Sequence, residues 1–266
     1  MDFTNTKDFG ETKAIAQLGG GIAIIDSAPE PVPEFHTLSE RYGIHVQGDI
    51  TDQESIEKAF AQCVRSLGQL HGALTAAGIC VDKPLLEPDW ESTQRTLNVN
   101  VMGTFWVIKL LARHFTDEKI PGSIVAISSV NGHGLYVPVQ PQSSYNASKA
   151  AIKGLVGPLA GELSQYGIKV NPISPGAIRT PLLARLEGEK RDIPDWHQNG
   201  APFQRLGLPK DLTPMVCYLL SDASASTTGA DMLITELQLD YTLAQRANSD
   251  PSLAQLNFNI LIVLKS

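Results

Sequence analysis

The chain has 266 residues, 42% hydrophobic and only 18% charged, enough for one large core; its net charge of −7, pI near 5.4 and lack of any Lys/Arg run exclude a nucleic-acid footprint and leave small molecules as the expected partners. Cys63, Cys80 and Cys217, odd in number and far apart, suit small buried hydrophobes in a reducing compartment rather than a disulfide framework or a zinc site, so no metal is expected. MDFTNTKDFGETK lacks the apolar core of a signal peptide and no segment reaches the roughly 18 apolar residues of a membrane helix, so a soluble, cytoplasmic protein is expected.

In chain order, Asp8 to Asp26 reads as a helix followed by the strand GIAIID (21–26). The strands GIHVQ (43–47), GALTAAG (72–78), SIVAIS (123–128), IKVNPIS (168–174) and DMLIT (231–235) follow. Between them, TDQESIEKAFAQCVRSL, NVNVMGTFWVIKLLARHF and SSYNASKAAIKGLVGPLAGELSQYG carry apolar residues at helical spacing, the first opened by a Thr51 to Glu54 capping box. β-branched runs alternating with helices predict an α/β fold with a doubly wound, Rossmann-like parallel sheet. No repeat or linker divides the chain, so residues 1–240 are expected to form a single domain, followed by an atypical tail, 241–266. The Pro- and Gly-rich segment from Pro181 to Pro209 is placed as a lid over the carboxyl ends of the strands.

The strongest chemical signal is YNASK, where Tyr145 and Lys149 stand four apart near a helix start and therefore share a face. A neighbouring ammonium favours the phenolate and lowers the phenol's pKa, and such a pair moves protons to or from a substrate oxygen. Taken alone, the pair is also what two solvated neighbours on a helix look like. Ser129 closes its strand at the carboxyl end, where open α/β sheets bind ligands, and Asn100 lies in the preceding long helix.

With AAG (76–78), Asp49 in GDITD and SPGAIRT (174–180), these residues resemble the short-chain dehydrogenase/reductase family over roughly Gly10 to Thr235. GSIVAISSVNGHG, SSYNASKA and STTGADMLI are similar to its fungal polyol and ketose reductases. The resemblance implies an NAD(P)-dependent oxidoreductase interconverting a secondary alcohol and a carbonyl compound by hydride transfer. It implies Tyr145 as acid/base, Lys149 lowering its pKa and holding the nicotinamide ribose, Ser129 polarising the carbonyl, and Asn100 fixing a water-linked proton path. Asp49 and Ile50 would then flank the adenine, Ile178 and Thr180 hold the nicotinamide carboxamide, Pro175 and Gly176 shape the wall, and Ala76 and Gly78 also bind the cofactor. Ser129 reads equally as a strand-end cap, and Asn100 as a buried polar group bonded to a backbone carbonyl. His133 reads as a solvated loop residue and is left out.

Asp26, ending the second strand of the family pattern, can accept bonds from adenine ribose hydroxyls and repel a 2′-phosphate, and SAPEPVPE after it has no cation, so NAD is favoured over NADP; a simple turn initiator is the other reading. The family's apolar first strand and glycine loop have no match in MDFTNTKDF, and Asp8 and Glu11 would cap the helix where a pyrophosphate should sit. FNILIVL (258–264) is a continuous apolar run that reads as an edge strand or a loose tail, with a strand filling the vacant central position as the alternative. Departure at both ends is also what a mis-spliced product would show. Three functions follow: the oxidoreductase; a cofactor-independent proton-transfer enzyme such as an isomerase, dehydratase or cyclase; and an inactive isoform acting as an oligomerisation partner. Homodimers or homotetramers are implied through the helices 98–115 and 144–165. The lid offers Leu183, Trp196 and Phe203 to a substrate whose identity the sequence leaves open.

Overall fold

A computed structural model describes residues 21–31, 43–87, 89–134, 141–180, 183, 201 and 203–235. β1 (Ile22–Asp26) pairs in parallel with β2 (Gly43–Gln47), in a register that sets Asp26 opposite Gln47. β3 (Gly72–Thr75), β4 (Gly122–Ile127), β5 (Ile168–Pro175) and β6 (Met232–Ile234) form a second parallel sheet in that order. All six predicted strands occur and the α/β class holds.

Alternation along a strand explains the layering, because successive side chains face opposite sides of a sheet. In β4, Ile124 and Ala126 pack with Val170 against Ile108, Leu111 and Phe115 of α3 (Thr104–Glu118) and Ile152, Val156 and Ala160 of α4 (Ser143–Leu163). Val125 and Ile127 turn the other way, onto Leu212, and onto Val216 and Leu219 of α5 (Thr213–Leu220). All six residues of β4 are buried, which is why its sequence is continuously apolar rather than alternating.

α1 (Gln53–Leu67) covers the smaller sheet through Ala59 and Cys63, which meet Val46. Its cap corrects the sequence reading: Asp52, not Thr51, accepts from the Ser55 amide at 2.8 Å, while the Thr51 hydroxyl donates to Asp49 at 2.7 Å. Asp52 wins because a carboxylate at the N-cap accepts a helix amide and faces the positive end of the dipole. α1 meets the larger unit where the Phe60 ring sits edge-on to His114 of α3, with centroids 6.1 Å apart.

The helix preceding β4 is not continuous: α2 (Trp90–Leu97) passes through a π turn, Asn98–Gly103, into α3. Gly103 is required there, because a Cβ would stand 2.6 Å from Ile50. α2 and α5 were absent from the sequence reading. Among the described residues no strand lies between β1 and β3, and β1 is only half-buried. Asp8, Glu11 and the run 258–264 lie outside the described residues, as does the lid apart from Leu183, Ala201 and 203–209. No helix among the described residues is long and apolar enough to cross a membrane.

Candidate active site

β4 ends at Ile127, and the chain then turns through Ser128 and Ser129 into a 3-10 turn, Val130–His133. Ser129 caps that turn, its Oγ accepting from the Asn131 amide at 3.2 Å, and it also hydrogen-bonds the Tyr145 phenol. The cap reading therefore holds, and the same side chain also meets the Tyr145 phenol. Tyr145 is 5% exposed and Lys149, one turn further along α4, 1%. The Lys149 ammonium donates to the Ile127 carbonyl at 2.8 Å and lies 5.7 Å from the centre of the Tyr145 ring.

The electrostatics differ from the sequence expectation that Lys149 pulls the phenol down. Burial pushes Tyr145 above its ordinary value, Cys80 adds to the rise by charge repulsion, and only the Ser129 bond opposes them. Lys149 is itself lowered to about 8 by burial, with Cys80 acting the other way. Removing both groups from water outweighs their attraction while Lys149 is bonded to a carbonyl rather than to the phenol.

Asn100, buried in the π turn, is a clamp. Its Oδ1 accepts from the Ile79 amide at 2.8 Å, and its Nδ2 donates to the Ile79 carbonyl at 2.9 Å and to Ser148 Oγ at 2.9 Å. Ser148 in turn donates to the Tyr145 carbonyl at 2.7 Å. The side chain thus ties the segment after β3, with Ala76 half-buried and Gly78 buried, to the first turns of α4.

The other predicted residues line the carboxyl ends of the strands. Asp26 ends β1, its Oδ1 accepting from the Ala28 amide at 2.7 Å. Asp49 is exposed and its Oδ1 holds the Thr51 amide, whereas Ile50 packs on Gly103. Gly176 follows Pro175 and its amide donates to the Ile234 carbonyl at 3.0 Å. Ile178 bridges Gly207, through bonds made by the Ala177 carbonyl and the Arg179 amide. Alternation in extended backbone therefore turns the Ile178 amide and carbonyl the opposite way. Thr180 is buried, and its Oγ1 accepts from the Leu183 amide at 3.4 Å. Phe203 is 75% exposed and lines a crevice with Gly176, Ile178, Arg205, Ile234 and Thr235, while Trp196 lies outside the described residues.

These residues fit a nicotinamide dinucleotide at two places. Lys149 has three donor positions and one acceptor among the described residues, and Ile178 offers a donor and an acceptor side by side. Asp8 and Glu11, which the sequence sets where a pyrophosphate should sit, lie outside the described residues. Among the described residues no cluster of His, Cys, Asp or Glu is arranged to hold a metal.

His133 is not solvated as the sequence suggested. Its Nδ1 faces Lys153 Nζ at 2.8 Å and its Nε2 faces Asp231 Oδ2 at 2.9 Å, while Asp231 Oδ1 accepts from Ser174 at 2.7 Å. A lysine can only donate, which fixes the imidazole proton on Nε2 when the ring is neutral. Sequence reasoning also missed Cys80 and Gln142, whose side chains meet at 3.0 Å. They lie 62 positions apart, and only the order of β3 and α4 in the fold brings them together.

Residues 9–235 match the sequence pattern of the enoyl-(acyl carrier protein) reductase group. A galactitol 2-dehydrogenase from Rhizobium johnstonii is 32% identical over 226 residues, 82% of this chain and 85% of that protein. An NADH-dependent L-xylulose reductase from Ambrosiozyma monospora is 35% identical over 189 residues, 70% of this chain and 69% of that protein. The crystal structure of a short-chain type dehydrogenase/reductase from Mycobacterium marinum superposes with a TM-score of 0.80 at 30% identity, covering 88% of this chain and 90% of that one.

Proposed function

Because this chain belongs to the short-chain dehydrogenase/reductase family, we propose that it interconverts a secondary alcohol and a ketone or aldehyde as an NAD(P)-dependent oxidoreductase. The observation that carries this is the buried Ser129, Tyr145 and Lys149 cluster at the carboxyl end of β4. A nicotinamide held by Lys149, Ile178 and Thr180 would supply the hydride chemistry at the substrate carbon. Tyr145 gives its proton to the substrate oxygen in reduction and takes it back in oxidation. A phenol raised by burial stays protonated at neutral pH, the form reduction needs. Ser129, whose hydroxyl has a single proton, turns it from Tyr145 to the same substrate oxygen and so polarises the carbonyl.

Lys149 presents the donor positions not used by Ile127 to the nicotinamide ribose, and its charge favours the phenolate as the proton leaves. Asn100 positions the machinery by clamping Ile79 and Ser148. Both ends of its side chain are engaged, and the water-linked proton path it would fix is what the family resemblance implies. Ile178 and Thr180 hold the carboxamide against Gly176. Asp26 accepts from the adenine ribose, with Asp49 and Ile50 flanking the adenine and Ala76 and Gly78 also against the cofactor. Asp26 and the absence of Lys or Arg in the residues after it favour NAD over NADP, and the xylulose reductase resembling this chain is NADH-dependent. The protein works in the cytoplasm as a homodimer or homotetramer through the π turn with α3 and through α4, where Met102 of the π turn and Phe105 of α3 stand exposed.

Tyr145→Phe removes only a hydroxyl. It should lower turnover of a ketone by about a hundredfold to ten-thousandfold, the usual worth of a positioned general acid, with the thermal midpoint little changed. Turnover within a few-fold of the parent would remove Tyr145 from this role. Titration by nicotinamide fluorescence should give tighter binding of NADH than of NADPH, and Asp26→Ala should narrow the difference.

A further inference from the structure

The His133 ring is held at both of its nitrogens. Nδ1 meets Lys153 of α4, one turn beyond Lys149, and Nε2 meets Asp231, which directly precedes β6. Nε2 and the Asp231 Oδ2 that it faces at 2.9 Å are both sealed from water, and neither has another hydrogen-bond partner among the described residues. Two polar atoms taken out of water with only each other stay together, because parting them leaves both unpaired.

On one side the contact leads to Ser129. His133 closes the turn Val130–His133 that Ser129 caps, and inside it the Gly132 amide donates to the Ser129 carbonyl at 2.9 Å and the Asn131 amide to Ser129 Oγ at 3.2 Å. A shift of His133 therefore reaches the hydroxyl that meets the Tyr145 phenol. On the other side, Asp231 Oδ1 accepts from the buried Ser174, which is followed by Pro175 and Gly176. β4 and β5 are already joined by the Ser128 amide and the Ile173 carbonyl at 2.8 Å. Past that bond β4 gives way to the turn, and His133 with Asp231 joins the turn to β5 and β6.

We propose that His133 is a positioning residue for hydride transfer: through Asp231 it holds the turn carrying Ser129 against the wall 174–176, and so keeps the substrate oxygen in register with the nicotinamide. This rests on the oxidoreductase reading. Lys153 serves the contact by donating to Nδ1, which leaves the proton of the neutral ring on Nε2, facing the carboxylate. Register matters at this scale, since a misplacement of about 1 Å costs about a hundredfold in rate.

The test uses His133→Gln, His133→Asn, Asp231→Asn and the double variant of the last two. A glutamine amide nitrogen can take the place of Nε2 and donate to Asp231, whereas asparagine reaches only the Nδ1 position. With NADH and a ketone that the parent reduces, sought among 2-butanone, cyclohexanone and 1-hydroxy-2-butanone, kcat should fall about tenfold or more in His133→Asn and in Asp231→Asn, with KM little changed. His133→Gln should stay close to the parent, and the double variant should be no worse than either single one. Equal kcat in His133→Gln and His133→Asn, independent losses in the double variant, or a lowered thermal midpoint with kcat unchanged would overturn the proposal while the parent's turnover upholds the oxidoreductase reading. If the parent reduces no ketone, that reading fails, and hydrogen exchange in residues 129–134 decides the tether by itself. Faster exchange in His133→Asn than in His133→Gln supports it, and equal exchange overturns it.

Discussion

Lys149 is an ammonium that the fold holds at 1% exposure with a single carbonyl partner among the described residues, and the consequence is a pH-dependent stability. Its pKa falls from 10.5 in the open chain to about 8 in the folded one. Below pH 8 both states hold the proton and the burial penalty acts in full. Between the two values the unfolded chain binds a proton that the folded chain has released, so stability rises with pH, and above 10.5 the penalty is gone. At about 1.4 kcal/mol per unit, the penalty at neutral pH is on the order of 3 kcal/mol. Lys149→Met should therefore be more stable than the parent at pH 7, less about 1 kcal/mol for the Ile127 carbonyl left without its donor. Urea denaturation across the alkaline range should show the two converging as the parent gains stability; a gap that widens toward alkaline pH would contradict this account. Tyr145 and Lys149 were legible in the sequence because helical spacing alone sets them on one face. The direction of the Tyr145 shift was not, since it depends on how far the whole site is removed from water.

The turn carrying Ser129 lies directly on the backbone of α4. Ser128 donates to the Lys149 carbonyl at 2.9 Å, and a Cβ on Gly132 would stand 2.8 Å from that same carbonyl oxygen. Backbone cannot move aside as a flexible side chain can, so Gly132→Ala must push Ser129 and Tyr145 apart or unfold the turn. We expect a loss of about 1–3 kcal/mol, with turnover falling more than cofactor binding. Gly154, also on α4, has open space around its Cβ position, and Gly154→Ala should stabilise the same helix by about 0.5–1 kcal/mol. Thermal melts of the two variants should move in opposite directions, and a common direction would contradict the contact argument. The elements legible in the sequence were those whose apolar pattern is long or unbroken, such as β4 and α4. The short helices α2 and α5 escaped because eight residues give too few turns for periodicity to register. The π turn escaped because it changes hydrogen bonding without changing the apolar spacing.

At the scale of the molecule, the two sheets differ in what holds them. β4 and β5 lie inside the larger core with neighbours on both edges and helices on both faces. β1 pairs with β2 alone among the described residues and is packed through α1 by a small cluster around Val46, Ala59 and Cys63. Opening β1 and β2 therefore exposes much less apolar surface than opening β4, and their amides should exchange with deuterium faster, by local rather than global unfolding. The proposed site spans both parts, with Asp26 and Asp49 at the ends of β1 and β2 and Tyr145 and Lys149 beyond β4. A dinucleotide seated along its whole length is lost whenever β1 and β2 open, so at a hundred times its Kd it should slow their exchange by about a hundredfold, equivalent to about 2.7 kcal/mol. Exchange followed by mass spectrometry with and without NADH separates two outcomes. Slowing in residues 22–26 and 43–47 means the smaller sheet holds the adenosine half. Slowing confined to β4 and α4 means that only the nicotinamide half is held, because a ligand that does not touch β1 and β2 cannot resist their opening.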